Sequence, residues 1–277
     1  METLEDLITA TLAQPVPREI IAMADHVRAN HEGVVAVLAY GSCLRGVATS
    51  ESLIDLYVLT SNLIGVSRNA VSRMACAVVP PNVHYAELGQ TRAKYAVLPL
   101  ALFTKWMRAD NPYFWARFAQ PTALVYGASP PVVAALSEAV RTTYANARGL
   151  GETADPLAAW GQGFAATYAT ELRAETVSRA ASIVAANQDY YRKAALLLGD
   201  IAPAPANWPL RRITGKLWSI ARLTKAAFTF TGGADYLAWK IERHSGQKIE
   251  LTNWQRRHPI IAGLTLLPKL LRRGAIR

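Results

Sequence analysis

The stretch Leu38-Ala-Tyr-Gly-Ser-Cys-Leu-Arg-Gly46, followed by Ser52-Leu-Ile-Asp-Leu-Tyr-Val-Leu-Thr60, decides the reading of this chain. Apolar Val34 to Leu38 predicts a strand, Gly41 permits a sharp backbone turn, and Leu53 to Thr60 predicts a second strand carrying one carboxylate, Asp55. Ser42 offers a hydroxyl and its own N–H to a phosphate at that turn. An ordinary hairpin uses the same Gly-Ser pair, so the turn by itself leaves chemistry and plain structure both open.

Joined to a strand aspartate, the turn has the form of a nucleotidyltransferase site, in which the turn holds a triphosphate and strand carboxylates hold divalent metal. Such strands often carry two carboxylates two residues apart, because alternate residues share a face. Here the earlier position is Leu53; Glu51 has the right parity but sits in the polar run Ser50-Glu-Ser52. Either the site is degenerate or its other carboxylate comes from elsewhere in the chain.

The chain has 277 residues, 51% of them hydrophobic, enough for one large or two small globular domains. Cys43 and Cys76 make neither a disulfide framework nor a zinc quartet and suit a reducing compartment; Cys43 reads as a small turn residue rather than a nucleophile. Neither a basic start with a following apolar run nor an apolar run of spanning length is present, so a cytoplasmic protein, or one peripheral to the inner face of a membrane, is expected.

The formal charge of +10 lies mostly beyond residue 210, where cations such as Arg211, Arg222, Lys225, Arg256 and Arg273 face only Asp235, Glu242 and Glu250. Nucleic acid, nucleoside triphosphate and anionic lipid all suit that balance. Solvated helix faces suit it equally for any single residue.

Periodicity predicts helices over 4–12 and 18–28, a crossover helix over 62–75, a strand over 83–88, extended chain turning helical over 93–109, a short helix over 113–118 and a strand over 120–126. Helices alone follow: 132–147, one long or two joined over 156–198, then 210–230 and 234–245. The expected fold is an α/β nucleotidyltransferase-like domain with a mixed sheet over 1–130, a helical domain over 131–250, and a basic amphipathic tail over 251–277. The tail, from Trp254 to Arg277, brackets a short apolar stretch with arginines, a pattern that lies either in a membrane interface or on the protein's own core.

Tyr40-Gly41-Ser42, the lone Asp55 preceded by Leu53, and the pair His84-Tyr85 resemble the mitochondrial-type phosphatidate cytidylyltransferase family, in which a hydrophobic residue also replaces the first carboxylate. Lys94-Tyr95-Ala-Val97 is similar to that family's Lys-Tyr-Gly-Val, Arg117-Phe-Ala-Gln-Pro121 to its Gly-Arg-x-x-Lys-Pro, and Tyr168-Ala-Thr-Glu171-Leu-Arg173 to its Tyr-x-Gly-Asp-x-Arg. Lys225 to Gly232, then Tyr236 and Lys240, echo a late Lys-Gly-x-x-Thr-Ala-Gly block. The departures are Ala96 for Gly, Gln120 for Lys, Glu171 for Asp and a missing glycine-containing insert before Lys94, as in a distant bacterial-type member.

The resemblance implies a Mg²⁺-dependent cytidylyltransferase that joins CTP to phosphatidic acid, giving CDP-diacylglycerol and pyrophosphate. It implies that Gly41 and Ser42 grip the CTP phosphates, that Asp55 and Glu171 hold Mg²⁺, and that Lys94 and Arg173 screen phosphate repulsion. Tyr40, His84, Tyr85 and Tyr95 would complete the nucleotide and substrate contacts, with an anionic membrane surface as partner and no nucleic acid. By residue type alone, His84 suits a core histidine as well as a site, and alternation puts Tyr85 on the other strand face. A soluble nucleotidyltransferase acting on a small molecule, a protein or an RNA end stays open, as does a noncatalytic anion-binding relative.

Overall fold

A computed structural model of the chain describes residues 2–44, 53–151, 153–172, 177–229 and 251–257. Helices α1 (Leu4–Leu12) and α2 (Arg18–Arg28) lead into strand β1 (Val34–Tyr40), a 3-10 turn over Gly41–Leu44, and β2 (Leu53–Thr60). Next come α3 (Ala70–Val78), β3 (Asn82–Leu88), β4 (Thr91–Pro99), α4 (Leu100–Trp106), α5 (Trp115–Phe118) and β5 (Thr122–Gly127). Helices α6 (Pro130–Arg148), α7 (Pro156–Tyr168), α8 (Val177–Ala185), α9 (Gln188–Leu198), α10 (Trp208–Thr229) and a short α11 (Asn253–Arg257) follow.

The five strands form one mixed sheet in the order β3-β4-β2-β1-β5, parallel only between β2 and β4. The expected α/β region with a mixed sheet, followed by helices, is therefore the architecture observed. Pairing register aligns Tyr85, Lys94, Asp55, Tyr40 and Thr122 in one row across all five strands. In-register neighbours share a face, so this row points to one side of the sheet. Farther along that side, Tyr57 packs with Phe103 of α4, Phe114 just before α5 and Phe118 of α5, its ring 4.8 Å from Phe118. The opposite side lies against α2, where Leu56, Ala39 and Tyr95 are buried.

One hydrophobic cluster runs through sheet and helices, from Leu38, Val58 and Val97 to Leu12 of α1, Val140 of α6, Trp160 of α7 and Tyr191 of α9. Trp160 stacks on Tyr144 at 4.8 Å and donates its indole N–H to the Tyr191 carbonyl at 3.1 Å. The apolar spacing over 156–198 resolves into three helices. Thr170 turns its hydroxyl back onto the Thr167 carbonyl just after α7, and Asn187 does the same with its amide onto Ile183 between α8 and α9. The predicted crossover helix over 62–75 is also shorter: Asn62 caps a 3-10 turn at Ile64–Val66, and Asn69 accepts from Val71 and Ser72 to start α3. The predicted helix over 234–245 and most of the tail lie outside the described residues.

Helix α10 closes on this body through Gly215, where an added Cβ would sit 2.6 Å from the Thr170 carbonyl oxygen. That atom is backbone and cannot rotate away. Gly215→Val should therefore cost roughly 1–3 kcal/mol as an overpacking change and lower the melting temperature by several degrees in a differential scanning experiment. An unchanged melting temperature would mean that α10 is not held at this contact.

Candidate active site

The residue after β1 makes the turn that the sequence requires of it. Gly41 adopts φ 84°, a conformation costly for residues with a side chain, and an added Cβ would lie 3.6 Å from Asp55 Oδ2. Gly41, Ser42 and Asp55 thus meet at one end of the β1–β2 pair, each partly open to solvent. Cys43 turns inward and donates its thiol to the Tyr40 carbonyl at 3.2 Å, as a structural turn residue does. Lys94 flanks Asp55 on β4, as Tyr40 does on β1, and Tyr85 follows beyond Lys94 with its hydroxyl on Glu87 at 2.6 Å. Burial, reinforced by Glu87, pushes that phenol well above its ordinary pKa.

Glu171 comes to this side of the sheet from the turn after α7, but its carboxylate is taken up by a cation. Arg117 Nη2 donates to Glu171 Oε2 at 3.0 Å, and the two side chains are only 10% and 11% exposed. Gln120 donates to the Tyr168 hydroxyl at 3.1 Å. The segments 117–121 and 168–171, far apart in sequence, are therefore locked together. Arg117 also lies over the Tyr113 ring at 3.7 Å, and Arg222 of α10 lies over the same ring at 3.6 Å. Burial alone would raise the Tyr113 phenol's pKa, but Arg117, Arg222 and Lys94 outweigh it and hold the phenol below its ordinary value. Burial raises Tyr57, which shares a hydrogen bond with Tyr113.

His84 and Tyr95 lie elsewhere. Pairing with each other in register, they face α2, on the side of the sheet opposite Asp55, and pack with His31 at ring separations of 5.2 to 5.9 Å. The strand alternation that brings Tyr85 toward Asp55 takes His84 away from it. His84 is a buried histidine whose proton affinity is depressed to a pKa of about 4, first by burial, then by His31 and Lys225. Expected contacts from His84 and Tyr95 to a ligand at Asp55 are thus replaced by core packing. Arg173 and Glu51 lie outside the described residues.

Tyr113 and Arg222 were missed by sequence reading, which registered Arg222 only as part of a basic region. No periodicity marks an arginine 109 positions after a tyrosine as its ring partner. For a divalent cation, the donor set is sparse. Asp55 is the row's carboxylate, Glu171 is engaged by Arg117, and among the described residues no three His, Cys, Asp or Glu gather as a metal cluster. One carboxylate completed by phosphate oxygens is an ordinary Mg²⁺ arrangement; a site made of protein ligands alone does not fit these residues.

No family model matches the chain, and no curated protein matches it. Among solved structures it is similar to a nucleotidyltransferase-like protein from Exiguobacterium sibiricum 255-15, at 13% identity over 92% of this chain and 91% of that one, with a TM-score of 0.28. The site described above rests on this chain's own geometry.

Two measurements follow from these placements. Removing one partner of a buried ion pair strands the other charge, so Glu171→Gln should lose about 3–5 kcal/mol of stability in a urea melt; a loss under about 1 kcal/mol would show that Glu171 is not committed to Arg117. For His84, the folded pKa of about 4 lies below the ordinary 6.5. The unfolded chain gains its proton first, so stability is full above pH 6.5 and falls toward pH 4 by ~1.4 kcal/mol per pH unit. His84→Phe should flatten that acid limb, and equal slopes for both proteins would refute the assignment.

Proposed function

We propose that this protein is a nucleotidyltransferase, acting at the Gly41–Ser42 turn and Asp55, and that its reaction is the Mg²⁺-dependent condensation of CTP with phosphatidic acid. The observation that carries the reading is convergence. Of the segments quoted for the family resemblance, 40–42, 55, 94, 117–120 and 168–171 gather on one side of the sheet or pack directly on the residues there, whereas His84 and Tyr95 lie on the other.

In this reading the Gly41–Ser42 turn receives the triphosphate through backbone N–H groups and the Ser42 hydroxyl, with nothing larger than hydrogen at Gly41 to block Asp55. Asp55 would hold Mg²⁺, which neutralises charge on the phosphate oxygens and on the departing pyrophosphate. A phosphomonoester is already an anionic nucleophile, so the site needs no strong general base. Its oxygen forms the new bond to the α-phosphorus as the bond to pyrophosphate breaks. Lys94, beside Asp55, lowers the repulsion between the two phosphates.

The lipid acceptor draws support from α10. Its outward face exposes Leu210, Ile213, Leu217, Ile220 and Leu223, with Arg212 and Lys216 exposed beside them and no acidic residue along the helix. An apolar stripe edged by cations suits the surface of an anionic bilayer. Among the described residues no helix is long and apolar enough to cross a membrane, so contact would be peripheral.

Asp55→Asn keeps shape and hydrogen bonding while removing charge. In an assay with labelled CTP, Mg²⁺ and phosphatidic acid vesicles, it should lower turnover by at least about tenfold, or ~1.4 kcal/mol in the barrier, with an unchanged melting temperature. A variant retaining most of its activity would show that the reaction lies elsewhere. Transfer to a soluble phosphomonoester but not to vesicles would keep the nucleotidyltransferase reading and remove the lipid one.

A further inference from the structure

Helix α10 turns three cations toward the protein, and they are not equally satisfied. Arg211 binds Asp110 Oδ1 through Nε at 2.7 Å and also bonds Asn146. Lys225 donates to the Val79 and Pro81 carbonyls and to Asn82 Oδ1. Arg222 has one long bond, Nε to the Pro80 carbonyl at 3.4 Å, and rests on the faces of Tyr113 and Trp218. Its Nη2 is buried and has no hydrogen-bond partner. A buried guanidinium N–H left without an acceptor is costly, and an acceptor supplied by a ligand would satisfy it.

The charges around it favour an anion. Arg117 and Arg222 lie over the Tyr113 ring, and Lys94 adds its positive charge to theirs in favouring the phenolate, with Glu171 opposing them. Glu171 is already paired with Arg117, which leaves Arg222 without a carboxylate partner among the described residues, while Lys94 has Asp55 as its neighbour on β2. Their position relative to Asp55 is specific. The Gly41–Ser42 turn borders Asp55 on the β1 side, whereas Lys94 borders it on the β4 side, one strand spacing away. Asp55 thus stands between two places suited to phosphate.

We propose that Arg222 and Lys94, together with the Tyr113 hydroxyl, form a second phosphate subsite that takes a phosphomonoester dianion, on the β4 side of Asp55 away from the triphosphate turn. Arg222 offers a planar donor fork to two phosphate oxygens, Lys94 a point charge, and Tyr113 a hydroxyl donor. As the acceptor's subsite it rests on the nucleotidyltransferase reading; as a phosphate site it stands without it. It makes α10, through Arg222, a contributor to acceptor binding rather than a structural cover alone.

Inorganic phosphate, titrated calorimetrically into the full chain without nucleotide or Mg²⁺, tests the site directly. Wild type should bind it, and Arg222→Gln should weaken binding by at least about tenfold, the scale of a lost charge-assisted bond, while Tyr113→Phe weakens it less. Arg222→Lys keeps the stem and the charge and should fall between the two. It also serves if the Gln variant does not fold. Phosphate binding unchanged in both Arg222→Lys and Tyr113→Phe would overturn the subsite. With CTP and acceptor supplied, Arg222→Gln should raise the acceptor KM while leaving the nucleotide Kd within about twofold. An equal loss of nucleotide affinity would assign Arg222 to the triphosphate and overturn the acceptor role. Phosphate binding through Arg222 in a protein that transfers no nucleotide would fail the functional reading and leave the site standing.

Discussion

The buried pair of Arg117 and Glu171 joins the sheet side of the molecule to the helices behind it, and the candidate site depends on that junction. Isolated, either charge would be expensive at such burial; together, at 3.0 Å, they fix α5 against the turn after α7. Arg117 bonds the Tyr113 carbonyl as well as lying over its ring, so the same guanidinium sets both the backbone and the side chain of Tyr113. Tyr113 in turn shares a hydrogen bond with Tyr57, which stands two residues along β2 from Asp55. A chain of direct contacts therefore links a helix-to-helix turn to the strand carboxylate. Each link is made by a group whose alternative would be an unsatisfied buried polar atom.

Helix α10 departs from the ordinary amphipathic pattern. A surface helix usually buries its leucines and shows its charges. Here Arg211, Arg222 and Lys225 point inward with Gly215 and Trp218, while Leu210, Ile213, Leu217, Ile220 and Leu223 face outward. The inward cations are tolerated because carbonyls, Asp110, Asn146 and aromatic faces receive them. The outward stripe has no comparable compensation among the described residues. Both halves of the inversion have the same physical meaning: one face of α10 is built for polar partners and the other for apolar surroundings.

Much of the sheet was legible because its signals are local. A glycine at a positive φ and an alternating apolar strand are written in consecutive residues, which is why Gly41 and Asp55 were found together. The same alternation separates His84 from Tyr85, so the pair cannot act jointly on one face. Helix starts were read less well where short polar side chains compete with the helix for backbone groups, as Asn62 and Asn69 do between β2 and α3. The platform of Arg117, Tyr113 and Arg222 was not legible at all. Its members meet through ring faces and a buried ion pair across three separate elements, and such contacts leave no period in the sequence.

Under the proposed reading, Leu53, where a second carboxylate could stand, acquires a physical sense from what surrounds Asp55. Two carboxylates on one strand would hold a divalent ion firmly before any nucleotide arrived. A single carboxylate holds it weakly, since Mg²⁺ gives up its waters reluctantly and takes up phosphate oxygens readily. Cations stand close by instead: Lys94 is Asp55's neighbour on β4, and Arg222 lies beyond it over Tyr113. Adding a second carboxylate at position 53 would place it opposite Arg92 in the β2–β4 pairing, two residues along the strand from Lys94's row, where it would compensate the positive field that Lys94 and Arg222 create. Under the proposed reaction, a site that holds two phosphates near each other would gain more from that field than from a stronger grip on the metal alone, because each phosphate brings its own oxygen ligands and its own negative charge.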